Sequence, residues 1–410
     1  MNRRVWTIKK RPIYSYGIVF FLYVLGSFAV PMLGWNGIFL QGPLYLFLLL
    51  CIIGLITRRI YVDSSFVCWY GTFFCFCLIS MIYSVSLESS LEMFSELFTA
   101  LILSVCLNAF FHIVGSDIVV KYSYIIVSII IGIRLITTFS QQHWWSRLGE
   151  SFGMNENMVG LYFLIPLCFA ITELSKKNKI YIKIINLLAV LVSGYVVMLS
   201  GSKKAIFAVA IFVSVYFLVQ SNNIVSKFKA IIISIVVVVV VYKLLIEVPL
   251  LYNIAGKRIE SMITVLQVKN YNSAGSSTSE RGDMIRYALK CFINSPLLGH
   301  GINGFRVLYG KASGHYVYAH NNFVELLADL GIVGFSLYYF IYYKLIRRLL
   351  CIGKKYRKEF ADCFAFIVVL LFYDIAMVSF YDTRILMLIS FICVSITKKS
   401  RKEIRGGKLI

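Results

Sequence analysis

The sequence is poor in charge, in acidic residues and in proline. Only 15% of its 410 residues are charged, 19 are acidic against 41 Lys and Arg, and six are proline. A disordered chain, or a string of domains joined by extended linkers, is richer in charge and proline than this. The hydrophobic share is 59%, with a mean hydropathy of +0.80. Because a soluble domain of this length could not cover so much apolar surface, the composition predicts an integral membrane protein.

The ten cysteines show no spacing typical of a metal site or a disulfide framework. Most lie in apolar segments, where a free cysteine behaves as a small hydrophobic residue. Cys291 lies in a long polar segment instead. No carboxylate cluster in the sequence resembles a magnesium site. The sequence thus predicts neither a metal nor another cofactor.

Apolar stretches of about 20 residues recur along nearly the whole chain, which is the pattern of membrane-spanning helices. We therefore predict an all-α membrane protein with about twelve spans. They lie at 13–31, 38–56, 66–84, 94–114, 118–139, 158–174, 184–200, 205–220, 230–247, 322–345, 361–380 and 385–397.

The net charge of +22 is compatible with nucleic-acid binding, but most basic residues lie in short runs between spans. Basic loops of this kind stay in the cytoplasm. If the spans alternate in direction, six basic clusters and both termini fall on the cytoplasmic side, and we expect no nucleic-acid partner. The clusters are Arg3–Arg11, Arg58–Arg59, Lys176–Lys183, Lys227–Lys229, Lys344–Lys358 and Lys398–Lys408.

The spans divide the chain into three parts. Residues 1–247 form a predicted membrane bundle of about nine spans, 248–320 form a large extracytoplasmic loop, and 321–410 hold the last spans and a basic cytoplasmic tail. The loop is the only segment with the length and polarity of a soluble unit.

An amphipathic helix is predicted inside this loop. Ser277 and Glu280 have the spacing of a capping box, and apolar residues then recur at helical spacing until Pro296. We expect a helix of about 13 residues on the membrane or on the bundle, with Arg281 and Arg286 on its polar side.

Gly299, Gly301 and Gly304 spell GxGxxG directly after this helix. A dinucleotide site would need a strand before these glycines and a helix after them, whereas here they follow a proline and lead into what we interpret as more loop. A tight turn that holds the amphipathic helix against the next element is the better interpretation.

Two stretches resemble the O-antigen polymerase and ligase superfamily of bacterial envelope glycosyltransferases. They are RGDMIRYALKCFINSPLLGHGINGF (Arg281–Phe305) and HNNFVELLADLGIVGF (His320–Phe335). The family pattern is an Arg-led amphipathic helix, then P-L-x-G-x-G, and later H-N before a helix with a glycine pair, here Gly331 and Gly334.

Two upstream stretches are similar to the same family but match less closely. They are SFGMNENMVG (Ser151–Gly160) and LSGSKKA (Leu199–Ala205), where Ser202 is followed by Lys203 and the family usually has arginine. With them, the resemblance covers roughly residues 145–345.

The resemblance implies a GT-C-like fold and a metal-independent reaction on the outer face of the bacterial cytoplasmic membrane. Enzymes of this family move a glycan from an undecaprenyl-pyrophosphate carrier to a hydroxyl group. The expected partners are the lipid-linked oligosaccharide, an acceptor glycan and the lipid bilayer. A flippase and a chain-length regulator of the same pathway are further expected partners.

Such a reaction needs cations at the depth of the carrier's pyrophosphate. Arg281 is the first candidate, because a guanidinium binds phosphate oxygens bidentately and stays charged. Lys203 is expected to stabilise the leaving pyrophosphate, with Lys204 beside it. Arg147, in an aromatic outer loop at 141–157, and Arg286 are further candidates for substrate binding.

The acceptor hydroxyl needs a general base, and the resemblance assigns that role to His320. A lone histidine at a span end is otherwise typical of packing against interfacial aromatic rings. Asn321 is predicted to cap the following helix, and Asn321 and Glu325 are further candidates for substrate binding. Glu325 lies about one turn further along, where it either orients the histidine or stabilises the first helical turn. Asp329, deeper in the same span, is expected to pair with a basic residue.

The sequence therefore favours a polysaccharide polymerase that assembles O-antigen, capsule or exopolysaccharide from lipid-linked repeat units. A ligase that transfers finished glycan to lipid A–core is the closest alternative. A flippase or other transporter of lipid-linked oligosaccharide is the third, but it should show internal repeats and charges distributed along its spans.

Overall fold

The computed structural model describes residues 12–113, 115–142, 147–150, 153–221, 223–260, 276–351 and 357–405. Within these ranges the chain is helical and has no strand, which confirms the all-α class. The basic cluster at 3–11 lies outside the described residues.

Fourteen helices of ten residues or more occur in the described part of the chain. They are α1 (Pro12–Leu33), α2 (Ile38–Ile56), α3 (Ser64–Ser80), α4 (Leu87–Phe111), α5 (Ser116–Gln142), α6 (Glu156–Leu174), α7 (Ile180–Leu199), α8 (Lys203–Gln220), α9 (Ile224–Glu247), α10 (Ser276–Asn294), α11 (Gly304–Ser313), α12 (Asn322–Cys351), α13 (Ala361–Asp374) and α14 (Thr383–Arg405). Short helical turns lie at Met81–Tyr83, Pro249–Leu251, Tyr252–Gly256 and Arg357–Phe360.

Polar side chains mark where several of the apolar helices begin. An N-cap side chain accepts a hydrogen bond from an otherwise unpaired N–H of the first turn. The caps of α3, α4, α6, α8 and α9 are Asp63, Ser86, Asn155, Ser202 and Asn223.

Ten of the described helices are long and apolar enough to cross a membrane: α1 to α9 and α12. The predicted spans at 361–380 and 385–397 are not among them, so the count of twelve is not confirmed. Helix α13 has only 14 residues, short of the roughly 20 that a span needs. Helix α14 is apolar and almost fully buried as far as Ile396, but it becomes basic from Lys398.

The helices pack around one apolar core that runs through most of the bundle. Helix α5 packs on α1, α6 and α7, while α12 packs on α3 and α14 on α4. Helix α9 lies at the outside of the bundle against α8, and its only buried residues are Ala230 and Leu245. Its other apolar side chains are therefore available to lipid.

Helix α10 corresponds to the predicted amphipathic helix, but it has 19 residues rather than about 13. Met284, Ala288 and Cys291 are buried in a second, smaller core that it shares with α11 and α12. The helix thus packs on the bundle, beside the start of α12. The side chains of 276–279, which include Ser277 of the predicted capping box, lie outside the described residues.

Glycines allow the turn after α10 to lie directly against other backbone segments. Gly299 has a φ of 68°, and a Cβ there would lie 2.4 Å from backbone atoms of Asp329. Gly301 has a φ of 84°, and its Cβ would lie 2.4 Å from Cα of Ser84. His300 links both sides, because its N–H donates to Ala328 and its carbonyl accepts from Val85. The interpretation of GxGxxG as a close-packed turn is confirmed.

Two expectations about this turn were wrong. The residues after it are not loop, because Gly304–Ser313 form α11. Asp329 does not pair with a basic residue: its carboxylate accepts the N–H groups of Asn303 and Phe305, at 3.0 and 2.7 Å. The buried carboxylate of Asp329, on the neighbouring helix α12, thus caps the first turn of α11. The N–H groups at a helix N-terminus favour a negative charge.

The turn yields a test of close packing that is independent of function. Gly301→Ala should destabilise the protein more than Gly314→Ala, although both glycines have positive φ, 84° and 79°. A Cβ at 314 meets no atom within 4 Å, whereas one at 301 collides with Ser84. We expect a loss of about 1–2 kcal/mol for the strained backbone alone, and about 1–3 kcal/mol more at 301 for the collision. Thermal unfolding of the detergent-solubilised variants measures the difference, and equal effects would contradict this account of the turn.

Candidate functional site

The first residues of α6 and α8 meet at one end of the bundle. The Ser202 side chain caps α8 and donates to Asn157 Oδ1 at 3.0 Å, which joins the two helices. Gly160 lets them approach, because a Cβ there would lie 2.8 Å from Cβ of Ala205. Lys203 and Lys204 form the first turn of α8 and therefore lie beside this junction.

Two arginines lie next to Lys203. The Lys203 ammonium donates to the carbonyl of Arg258 at 3.4 Å. Arg147 Nε donates to the carbonyl of Ser200 at 3.1 Å, and its guanidinium forms an ion pair with Glu156 at 3.1 Å. Burial and the neighbouring charge of Arg258 lower the pKa of Arg147, against the opposing effect of Glu156. The guanidinium groups are thus close enough to repel each other.

Arg281 on α10 and His320 before α12 lie beside the same cations. Burial, followed by the positive charges of Arg281 and Lys204, lowers the pKa of His320 to about 4. The imidazole is therefore neutral at physiological pH. Its ring centroid lies 4.2 Å from that of Tyr318. No hydrogen bond to the ring of His320 occurs within the described ranges, so its nitrogen atoms are available to a ligand.

The backbone around His320 is held in an uncommon conformation. His320 has a φ of 53°, a region that few residues other than glycine adopt. Asn321 Oδ1 accepts from the N–H groups of Phe323 and Val324, which confirms the predicted cap. The carboxylate of Glu325, only 2% exposed, accepts from the N–H of Ala319. Glu325 thus holds the backbone beside His320 rather than the imidazole ring.

The connection between α13 and α14 forms another wall of the site. Lys204 donates to the carbonyl of Ala376 at 2.6 Å. Asn322 accepts from the N–H groups of Ser379 and Phe380 and donates to the hydroxyl of Tyr339. Because Asn322 directly follows Asn321, this buried network fixes the connection relative to His320.

Arg286 lies apart from the cation cluster. It forms an ion pair with Asp283 at 2.7 Å, and the two side chains are 77% and 58% exposed. A surface pair of this kind contributes little to stability and leaves the arginine facing outward. Its substrate-binding role stays a prediction. Residues 143–146 and 151–152 of the aromatic loop lie outside the described residues.

Residues 188–339 match a protein-family model described as O-antigen ligase. This match supports a relation of the segment to the O-antigen polymerase and ligase superfamily. The matched segment includes Lys203, Lys204, Arg281 and His320, whereas Arg147 precedes it. No curated protein matches the chain.

The site concentrates positive charge without carboxylate partners around a neutral histidine. In the part of the chain that the structure describes, no carboxylate pairs with Lys203, Lys204 or Arg281, and no group of three or more His, Cys, Asp and Glu residues could hold a metal ion. The first turn of α8 adds N–H groups and the positive end of a helix dipole. The arrangement suits an anion with several oxygen atoms.

Sequence reasoning missed several residues that complete the site. Arg258 belongs to no motif, and only the fold brings its carbonyl to Lys203. The connection at 375–382 has no motif, and only the fold brings Ala376 to Lys204. Tyr318, which lies two residues before His320 in the H-N motif, could have been found, since an aromatic residue there is in reach of the histidine.

Unpaired cations at a helix N-terminus should cost stability. Lys203→Gln removes one charge from the positive end of α8 and keeps an N–H donor for Arg258. We expect the free energy of unfolding to rise by about 0.3–1 kcal/mol at low ionic strength, and the gain to shrink in salt.

Thermal unfolding of the purified protein in detergent checks this expectation. Lys177→Gln is the matched control, because Lys177 is an exposed lysine between α6 and α7 and its replacement should leave the melting temperature unchanged. If Lys203→Gln destabilises the protein, the positive charges of the cluster do not repel one another in the folded state.

Proposed function

We propose that the protein is a polysaccharide polymerase that transfers glycan from undecaprenyl-pyrophosphate-linked repeat units to an acceptor sugar hydroxyl. The observation that carries this proposal is the neutral His320 beside Arg281 and Lys204, within a domain of the superfamily. The reaction takes place on the outer face of the cytoplasmic membrane, with both termini inside.

The cations bind the donor's pyrophosphate. Arg281 supplies a planar, bidentate contact, and Lys203 and Lys204 supply point charges from the first turn of α8. Arg147 lies further from His320, near Arg258, and adds to the field of the cluster. Fixed cations aimed at the leaving group stabilise the charge that develops there, so this transfer requires no metal.

His320 activates the acceptor. Its neutral imidazole takes the proton of the acceptor hydroxyl while that oxygen bonds to the anomeric carbon of the donor sugar. The bond between this carbon and the pyrophosphate oxygen breaks, and its electron pair leaves with undecaprenyl pyrophosphate. A positioned base contributes about 10²–10⁴-fold to such a step.

Asn321 and Glu325 act as positioning residues in this proposal. Their side-chain oxygens already accept backbone N–H groups at 319, 323 and 324. They hold His320 in its left-handed conformation, which the backbone would not otherwise favour. The substrate-binding role expected from the sequence thus becomes indirect.

A ligase that transfers finished glycan to lipid A–core is the second candidate, because the matched family model is described as O-antigen ligase. The chemistry at the donor is the same for both, and only the acceptor differs. A chain rich in Lys, Ile and Asn suggests a low-GC bacterium, which favours the polymerase.

The length of surface glycan in cells carrying His320→Ala tests the base and separates the candidates. A polymerase without its base leaves single repeat units, so the ladder on a gel should collapse while the protein stays abundant in membranes. His315→Ala is the control, since His315 is exposed in the same segment, and its ladder should match the wild type.

The other outcomes of this experiment are distinct. Loss of all surface glycan with accumulation of long lipid-linked polymer would identify the ligase. An unchanged ladder in His320→Ala cells would remove His320 as an essential base.

The pH dependence of transfer provides a second test. A general base must be unprotonated, so the low pKa of His320, about 4, should keep kcat/KM level through neutral and mildly acidic pH. The bound pyrophosphate offsets Arg281 and Lys204 and raises the pKa of the imidazole. Because kcat reports the enzyme–substrate complex, its acid limb should lie at higher pH than that of kcat/KM.

Steady-state rates of the purified enzyme between pH 4 and 8 measure both limbs. The residual activity of His320→Ala is the control and should lack the acid limb. An acid limb of kcat/KM near the ordinary histidine pKa of about 6.5 would mean that the two cations do not act on His320.

A further inference from the structure

An apolar groove of about 170 Å³ opens between α6, α7, α8 and α9. Its lining is formed by aliphatic and aromatic side chains, among them Val197, Ile206, Val241 and Leu245. The lining has no charged side chain, and Tyr242 is its one residue with a polar side-chain group. The groove is therefore a site for hydrocarbon, and the proposed function does not yet use it.

The groove lies directly below the cation cluster. Ile206 follows Lys203 by less than one helical turn, and Ile259 directly follows Arg258, whose carbonyl accepts from Lys203. The lining residues of α9 run from Val237 to Leu245, which is about 12 Å along a helix at 1.5 Å per residue. An anionic group on the cations would thus have its hydrocarbon attachment at the mouth of the groove.

The side of the groove is open toward lipid. Val238 and Tyr242 on α9 are 48% and 43% exposed although they line it. A chain bound there can enter sideways from the bilayer and leave the groove again beyond Val237. The groove needs to hold only the first part of a long chain.

We propose that this groove binds the first isoprene units of the donor's polyprenyl chain, with the pyrophosphate on the cations above it. The inference rests on the proposed function. In a polyprenyl pyrophosphate the hydrocarbon is joined directly to the anion, so the two sites must adjoin, as Ile206 and Lys203 do. A phospholipid places a glycerol unit between its phosphate and two chains and fits this arrangement less well.

Gly194 makes the proposal testable. It lies in the C-terminal half of α7 and lines the groove, and a Cβ built on it meets no atom within 4 Å. Gly194→Leu and Gly194→Phe therefore place increasing bulk in the groove without a collision at Cβ. Gly71, in the middle of α3, also has nothing within 4 Å of a Cβ, so Gly71→Phe is the matched control.

The experiment uses a polyprenyl pyrophosphate that carries a diazirine on its first isoprene units and no glycan. The full-length protein is reconstituted in vesicles of phosphatidylethanolamine and phosphatidylglycerol, irradiated and mapped by peptide mass spectrometry. We expect labelling of α7, α8 and α9, competed by undecaprenyl pyrophosphate. Labelling should fall about tenfold in Gly194→Phe, less in Gly194→Leu, and not in Gly71→Phe.

Three results would overturn the proposal. They are label on other helices, equal labelling in both Gly194 variants and the wild type, and equal competition by added phosphatidylglycerol, which would mean a bulk-lipid site. Since the probe has no glycan, labelling does not require transfer. If the wild-type enzyme transfers glycan but fails this labelling test, the proposed function stands and the proposed lipid site is wrong. If the groove is labelled but the enzyme transfers no glycan, the lipid site stands and the proposed function is wrong.

Discussion

The site depends on positive charge that the protein leaves without carboxylate partners. The chain has 19 acidic residues, and several of those in the structure are committed elsewhere. Glu173 and Asp362 pair with Lys121 between the helices, and Asp329 caps α11. Glu156 pairs with Arg147 in the cluster, and Glu150 is close enough to act on the same guanidinium. Lys203, Lys204 and Arg281 interact in a partly buried setting where water screens them weakly.

Such mutual repulsion must be resisted by the packing around it. Close packing at glycines and buried hydrogen bonds provide this resistance, and both occur at the ends of helices. Small residues let α6 and α8 meet at Gly160 and let the turn at Gly301 lie on the α3–α4 connection. Buried hydrogen bonds from Asn322 then tie the α13–α14 connection to the start of α12. Packing and hydrogen bonds of the protein itself thus hold the charged groups in place, as electrostatic stabilisation of a transition state requires.

The sequence was sufficient for the class of fold and for most of the charged residues. Hydropathy alone predicts the ten long helices, because backbone groups in hydrocarbon must pair within their own segment. The predicted spans at α13 and α14 are not confirmed. Both helices are largely buried in protein, and hydropathy cannot separate that from burial in lipid. Motifs in the chain identified Arg281 and His320, which lie about 40 residues apart and meet only through the packing of α10 on α12.

Apart from the helix cap of Asn321, these contacts with backbone atoms could not be predicted. Lys204 donates to the carbonyl of Ala376, and Lys203 donates to that of Arg258. A carbonyl oxygen has no sequence signature, so neither partner could be inferred from residue type. The same holds for Glu325, whose partner is the N–H of Ala319. Residue types predicted which groups carry charge, and the fold determined what each of them touches.

The charge of the proposed substrate changes during the reaction, and this gives the unpaired cations a role beyond binding. When the glycosidic bond to the carrier breaks, a pyrophosphate oxygen that was bonded to carbon becomes anionic. In the proposed reaction, Arg281 and the lysines of α8 would therefore interact more strongly with the departing group than with the intact donor, and only such a difference accelerates a reaction. The product would bind more tightly for the same reason. Lysine at 203, where the resemblance leads us to expect arginine, would supply a point charge without the bidentate contact and so lower the barrier to release.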